Sequence, residues 1–574
     1  MSRTYLRIRV LTAAIAAVSF MTAATAAYAG DFGLAPLNPA FLQYVEKLNL
    51  HFSPQMIKTQ SGHGLGKLPS PLIAIAGAPA AVRPESAPQG SYAAAYDLRD
   101  HNKVTPVKDQ GTCGDCWAFA AMGSLESYFM PGETLDLSEA DLNANSGFDY
   151  GSCGGGFDTM SAAYMARWSG PKAESSSDVV KHAQNIKFIT LRAGATDNDR
   201  IKAALQTYGG LAVAFYYADA YYNAATHSYY ANISTSAYNS NHEVTIVGWD
   251  DDYPKTNFSA TLPGQPAGNG AFLCKNSWGT GWGASGYFYV SYYDGVFGRD
   301  DYISAFTAEP LADYTREYGY DKLGWVESLG YGTTTGWYSN IFTALGNEGL
   351  TAVSFYTNDS SSNYSVSIYT GVTAGQPTSG TLEHTESGSV NSPGYYTVPV
   401  GYRTITTGQM FSVVVKVTNA SSTHPIPVEA KITGYSSQAS ASGNSYVSSN
   451  GLSWSALASL DSSLTNVNIK AFTANKPPAG TVALTDNLFR PQKNPAVKCK
   501  IAVTIFSGGN VTVKVYTTSG ALVRTLYNGP QNSGPANYSW DGRTDSGAVA
   551  ASGLYLVHVK GPATDRTEKV VLIK

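Results

Sequence analysis

The sequence predicts an α+β domain set between a leader and two all-β sandwich domains, and three observations carry that prediction. Residues 97–306 combine a helical stripe with apolar strands. Beyond about residue 308 helical periodicity ends, and short alternating segments separated by Ser, Gly and Asn take over. The composition is turn-rich and β-leaning: of 574 residues, 57 are Gly, 27 Pro and 39 Tyr, and only 14% are charged. At roughly 150 residues per domain the length asks for three or four units.

The first residues carry Arg3, Arg7 and Arg9, then an apolar run over 10–20, then small residues ending Ala27-Tyr28-Ala29 before Gly30. This pattern predicts a secretory signal peptide over 1–29. The apolar run is far shorter than the ~20 residues a spanning helix needs, and no later segment is long and apolar enough. A secreted or cell-surface protein in an oxidising setting follows, with no transmembrane segment. Residues 30–95 contain one helix, capped by Asn38 and opened by Pro39, with Phe41, Leu42, Val45 and Leu48 as its stripe. Gly and Pro then dominate up to Gly90, so this stretch reads as a linker or, sharper, as a pro-segment.

Charge excludes one class of partner. Lys plus Arg number 38 and Asp plus Glu 42, a net charge of −4, so no global basic field exists to hold nucleic acid or anionic lipid. Residues 97–307 hold 23 acidic against 13 basic side chains, a local balance of −10. That excess reads first as a solubilising surface, and secondarily as a bias toward cationic substrates.

Five cysteines, Cys113, Cys116, Cys153, Cys274 and Cys499, leave at least one thiol unpaired. Cys113-Gly114-Asp115-Cys116 invites redox or zinc readings. Zinc lacks a second ligand pair, and a thioredoxin-like site lacks its preceding strand, so neither a metal nor another cofactor is expected. Ala118, Met122, Leu125 and Phe129 instead start a helix at Cys116, where the positive end of the macrodipole favours a thiolate. Such a nucleophile needs a base and a group to orient it. Asn241-His242-Glu243-Val244-Thr245-Ile246-Val247-Gly248-Trp249 supplies a histidine at the start of a strand, and Lys275-Asn276-Ser277-Trp278-Gly279 an asparagine before tryptophan.

At these motifs the chain resembles the papain-like cysteine peptidases, over roughly residues 96–307. The resemblance implies a helical lobe facing a β-barrel-like lobe and an attack on protein or peptide substrates through a thioester acyl-enzyme. It implies Cys116 as nucleophile, His242 as base and acid, and Asn276 as the group orienting the imidazole. Gln110 and the Cys116 backbone N–H become the oxyanion donors, and Trp278 the shield over the Asn–His hydrogen bond. It also implies that Cys113 pairs with Cys153. Gly155 and Gly156 pair with extended substrate, and Phe157 walls the pocket for the second residue before the scissile bond, where an apolar side chain is expected. Three departures stand out: Asp115 replaces a small hydroxyl residue, Glu243 replaces an uncharged one, and residues 250–270 form an insertion. Strand alternation should turn Glu243 away from the side that His242 faces.

Residues 308–475, through Val366-Ser367-Ile368-Tyr369-Thr370-Gly371 and Val467-Asn468-Ile469-Lys470-Ala471-Phe472-Thr473, resemble the lectin-like domain of some bacterial secreted peptidases. Carbohydrate or a cell surface is the partner this implies, although Trp337 and Tyr338 read as core before they read as sugar platforms. Lys476-Pro477-Pro478-Ala479-Gly480 is the clearest linker. Residues 480–574, through Asn487-Leu488-Phe489-Arg490-Pro491, Trp540-Asp541-Gly542-Arg543 and Ser552-Gly553-Leu554-Tyr555, resemble the flagellar-hook-capping type of Ig-like domain, a sorting module or a spacer. The reading from another class is an adhesin or glycan-binding protein with a silent peptidase domain.

Overall fold

A computed structural model describes residues 32–49, 57–76, 92–235, 239–258, 262, 264–474, 480–505, 508–532, 534–562 and 564–574. The expected signal peptide over 1–29 and the Pro-Pro pair of the linker lie outside the described residues. No helix among those described is long and apolar enough to cross a membrane.

The helix Pro39–Asn49 begins where its cap predicts, with Asn38 Oδ1 accepting the Ala40 N–H at 3.0 Å. Its buried face is narrower than the expected stripe: Phe41 and Val45 are covered, while Leu42 is exposed. Phe41 meets Tyr435 edge-on at 5.1 Å, tying this N-terminal helix to the lectin-like region.

The helical lobe is built from Cys116–Phe129, Glu139–Asn145 and Asp158–Ala166. The first is buried nearly all round because its sequence alternates Ala, Gly and Ser with Trp117, Met122 and Leu125, so neighbours can approach from every side. The opposing lobe is antiparallel: Leu211–Phe215 pairs with the histidine strand His242–Asp250, which pairs with Ala271–Lys275, which pairs with Tyr287–Ser291. A β-bulge between Leu273 and Cys274 lies just before Asn276. The insertion after Asp250 is pinned by buried Tyr253 and Phe258, which pack with Tyr230 and Ala271.

Residues 308–475 do not hang as a separate bead. Gly394 and Tyr395 of Gly394–Ile405 pair with Lys187 and Ile186 of Lys181–Ile189, so the sheet of the α+β region runs on into the lectin-like strands as one thirteen-stranded sheet. The expected boundary near residue 308 therefore falls inside Ile303–Pro310, a strand of that shared sheet. One apolar cluster likewise spans both, from Trp117 and Met122 to Tyr435 and Val447. A six-stranded antiparallel sheet, including Ser362–Thr370, Met410–Asn419 and Thr335–Thr343, completes the sandwich. Tyr338 is core, whereas Trp337 is half-buried on the other face beneath the Lys416 ammonium. Residues 480–574 form a second sandwich of three and five strands around their own core of Phe489, Val513, Trp540 and Val557.

Candidate active site

Cys116 is the first residue of its helix, and its thiol is completely buried. The sequence expectation of a thiolate favoured by the helix dipole is not what this structure holds. Burial pushes the thiol up to about 12, and the negative charges of Glu243 and Asp115 add to the shift, while the N–H groups of Glu243 and Gly66 only partly oppose it. Burial outweighs the dipole even with the Gly66 N–H directed at the sulfur.

His242 opens its strand fully buried, and its Nε2 lies 2.8 Å from Asn276 Oδ1. The same oxygen accepts the Ser277 N–H at 2.9 Å, which fixes the orientation of the amide. Nε2 therefore carries the proton and donates it, leaving the buried Nδ1, which has no other partner, with its lone pair free. Desolvation lowers the imidazole to about 3, against the opposing hydrogen bond to Asn276. Trp278 stacks on the imidazole at 4.5 Å between centroids and so covers the pair.

Gln110 is tied to the asparagine turn twice: its N–H donates to Ser277 O at 2.8 Å, and its Oε1 accepts from Ser277 Oγ at 2.6 Å. Its Nε2 donates to Cys113 O at 2.7 Å and to Gly64 O at 3.1 Å. Cys113 and Cys153 are joined in a disulfide, while Cys116, Cys274 and Cys499 are free and buried. Asp115, at the helix N-cap, makes no capping bond; its Oδ2 accepts from Asn143 Nδ2 at 3.3 Å, its Oδ1 has no partner, and burial raises it to about 6. Among the described residues no group of three His, Cys, Asp or Glu side chains is arranged to hold a metal ion.

Residues 57–76 occupy the cleft between these groups, a contact that the glycine- and proline-rich sequence did not announce. His63 stacks on Trp278 at 5.0 Å, Gly64 offers its carbonyl to Gln110, Gly66 directs its N–H at Cys116, and Lys67 forms a parallel bridge with Gly156. The Gly156 N–H donates to Gly66 O at 2.9 Å and its carbonyl accepts the Leu68 N–H at 3.0 Å. The approach is so close that only glycine fits: a Cβ at Gly66 would lie 1.9 Å from Gly114 O, and one at Gly64 2.1 Å from Cys113 O. The pair Gly64 and Gly66 was the available signal. Gly155, at φ +98°, faces Gly66 O and Leu68, and Phe157 is buried with the Lys67 ammonium 5.6 Å from its ring centroid. Glu243 does turn away from His242, yet not toward solvent: it is 1% exposed among the charges of Asp158, Lys67, Asp301 and Asp300. Asp300 and Asp301 were not singled out from the sequence.

Residues 92–305 match the family described as papain family cysteine protease. This segment is a papain family cysteine protease domain. Residues 318–473 match the lectin like domain family and residues 499–565 the FlgD Ig-like domain family. Among curated relatives, cathepsin L of Sarcophaga peregrina is 30% identical over 204 residues, 33% of this chain and 56% of that protein. A cysteine protease of Blomia tropicalis is 26% identical over 247 residues, 38% and 66% of the two chains. The match thus spans between half and two thirds of these relatives' own length. Among solved structures, the cysteine protease and lectin-like domains of Cwp84, a surface layer associated protein of Clostridium difficile, share the fold with a TM-score of 0.64 at 24% identity, covering 78% of this chain and 99% of that one. The clostridial cysteine protease Cwp84 after propeptide cleavage aligns with a TM-score of 0.56 at 25% identity, covering 66% and 99%.

Proposed function

We propose that the chain is a secreted cysteine endopeptidase, described here in its latent form with a pro-segment seated in the cleft. The observation that carries the reading is the His242–Asn276 hydrogen bond of 2.8 Å, which leaves Nδ1 unprotonated, with the N–H of the next residue, Glu243, directed at the Cys116 thiol. In the reaction Nδ1 takes the thiol proton, and the sulfur attacks a peptide carbonyl to form a C–S bond. Gln110 Nε2, which meets the Gly64 carbonyl in the latent form, and the Cys116 N–H stabilise the oxyanion. The imidazolium returns its proton to the departing amine as the C–N bond breaks, and His242 then activates the water that hydrolyses the thioester.

Direction accounts for latency. A substrate whose second residue before the scissile bond faces Gly156 runs from Gly156 past Cys116 toward Trp278. The pro-segment runs the other way, from His63 at Trp278 to Lys67 at Gly156, so its carbonyls are not offered for attack. Export is supported by the N-terminal pattern of Arg3 to Ala29, and carbohydrate or a cell surface is the partner proposed for the lectin-like region. The test is cleavage of casein, and labelling by a thiol-directed epoxide, with Cys116→Ser alongside. Cys116-dependent cleavage is expected; an exported chain that neither cleaves nor labels would leave an adhesin with a silent domain.

A further inference from the structure

The buried pocket that the Lys67 side chain fills, its ammonium 5.6 Å from the centre of the Phe157 ring, is lined by carboxylates. Asp301 Oδ2 lies 2.6 Å from Lys67 Nζ, with the lysine side chain 2% and the aspartate 16% exposed. Glu243, directly after His242, has a buried Oε2 without a partner, and Asp158 a buried Oδ1 without one, its other oxygen accepting from Ser304 Oγ. Asp300 accepts from the N–H and the Oγ of Ser240. Lys67 is the cation that offsets Asp158, Glu243 and Asp300 alike. Its backbone N–H is held by Asn241 O at 3.1 Å, one residue before His242, and its Nζ also donates to Leu68 O at 2.7 Å.

We propose that this pocket is a lysine-selective subsite: the activated enzyme takes a lysine as the second residue before the scissile bond, with Asp301 as its ion-pair partner and Glu243 at the pocket floor. The proposal deepens the peptidase reading above and rests on it. All four carboxylates belong to the protease domain and stay behind when the pro-segment leaves, whereas their counter-charge leaves with it. An apolar side chain would fill the space but strand buried carboxylates, which costs far more than the same acids in water. An aliphatic stem over the Phe157 ring ending in an ammonium satisfies both demands, and it is what the pro-segment delivers, with its backbone reversed. The apolar preference implied by the family resemblance is therefore replaced by a basic one, and the excess of acidic residues in 97–307 acquires a local meaning.

The test is a peptide library cleaved by the activated full chain, with Lys, Arg, Leu or Glu at the second position before the scissile bond. We expect kcat/KM for Lys to exceed that for Leu by at least about tenfold, and Asp301→Asn to reduce the Lys-to-Leu ratio by at least about tenfold. A Leu peptide cleaved as well as the Lys peptide, or a ratio changed by less than about twofold in Asp301→Asn, would overturn the subsite while leaving the peptidase intact. Binding of the same fluorescent peptides to the Cys116→Ser chain freed of its pro-segment separates the two readings. Tighter binding of the Lys peptide with no turnover by the parent enzyme keeps the subsite and removes the peptidase; equal binding of Lys and Leu peptides overturns the subsite.

Discussion

Replacing Lys67 by Met in a Cys116→Ser background perturbs the proposed latent form at one ion pair while the proposed pro-segment stays covalently attached. Methionine keeps an apolar stem against Phe157 and removes the charge. Breaking a buried pair by deleting one partner costs about 3–5 kcal/mol. Here the orphaned Asp301 is 16% exposed and can be partly rehydrated, and the acids around it can take up protons, so about 2–3 kcal/mol is the working figure. At about 1.4 kcal/mol per tenfold, local opening of the segment becomes roughly 30- to 150-fold more frequent. The assay is amide hydrogen exchange at residues 67 and 68, whose N–H groups donate to Asn241 O and Gly156 O. Their protection should fall by that factor, while amides inside the histidine strand keep theirs. A fall of less than about threefold at residues 67 and 68 would refute the claim that this ion pair holds the segment down.

Gln110→Ala should lower kcat by about 10²–10³ with a smaller effect on KM if its Nε2 is the oxyanion donor proposed above; an unchanged kcat in steady-state peptide hydrolysis would remove that role. Asp115 has its folded-state pKa raised from 3.8 to about 6 by burial, so it favours the folded state when protonated and costs stability as pH rises through that window. Asp115→Asn should therefore raise Tm relative to the parent chain at pH 7, by up to about 3 kcal/mol in stability, and make no difference near pH 3.5; a gain that persists at low pH would contradict this. Replacing both Cys113 and Cys153 by Ser, which frees a loop of 40 residues, should cost roughly 4 kcal/mol in denaturant unfolding monitored at the protease domain.

The site was more legible in the sequence than the architecture around it. Cys116, His242 and Asn276 each sit at an element terminus that local signals mark: a helical stripe beginning at the cysteine, a β-rich run beginning at the histidine, and a tryptophan-glycine turn after the asparagine. Sequence could also carry the alternation that turns Glu243 from His242. What it could not carry is what lies on the far side of that turn, because Asp158, Asp301 and Lys67 are brought to Glu243 only by tertiary packing. The thiol's protonation was misjudged for a related reason: a helix N-terminus is a local feature, whereas the burial that overrides it is produced by tertiary packing, and the Gly66 N–H that partly opposes it comes from 50 positions upstream. The β-regions divide similarly. Alternation marks strands such as Ser362–Thr370 and Met410–Asn419, but periodicity holds no record of which strand pairs with which. The pairing of Gly394 with Lys187, which fuses two regions into one sheet, was therefore invisible.

The most direct test of the account is the pH dependence of Cys116 alkylation in the full chain before and after removal of the pro-segment. With the segment seated, the thiol is neutral, so labelling at pH 6 should be negligible and rise only toward alkaline pH, in line with a thiol near 12. Once the segment is gone, water returns to the helix N-terminus and His242 can hold the proton, so rapid labelling at pH 6 should appear and be lost in His242→Ala. Equal labelling rates in the two forms, or rapid labelling that survives His242→Ala, would contradict the claim that a pro-segment holds a Cys–His–Asn peptidase site neutral and shut.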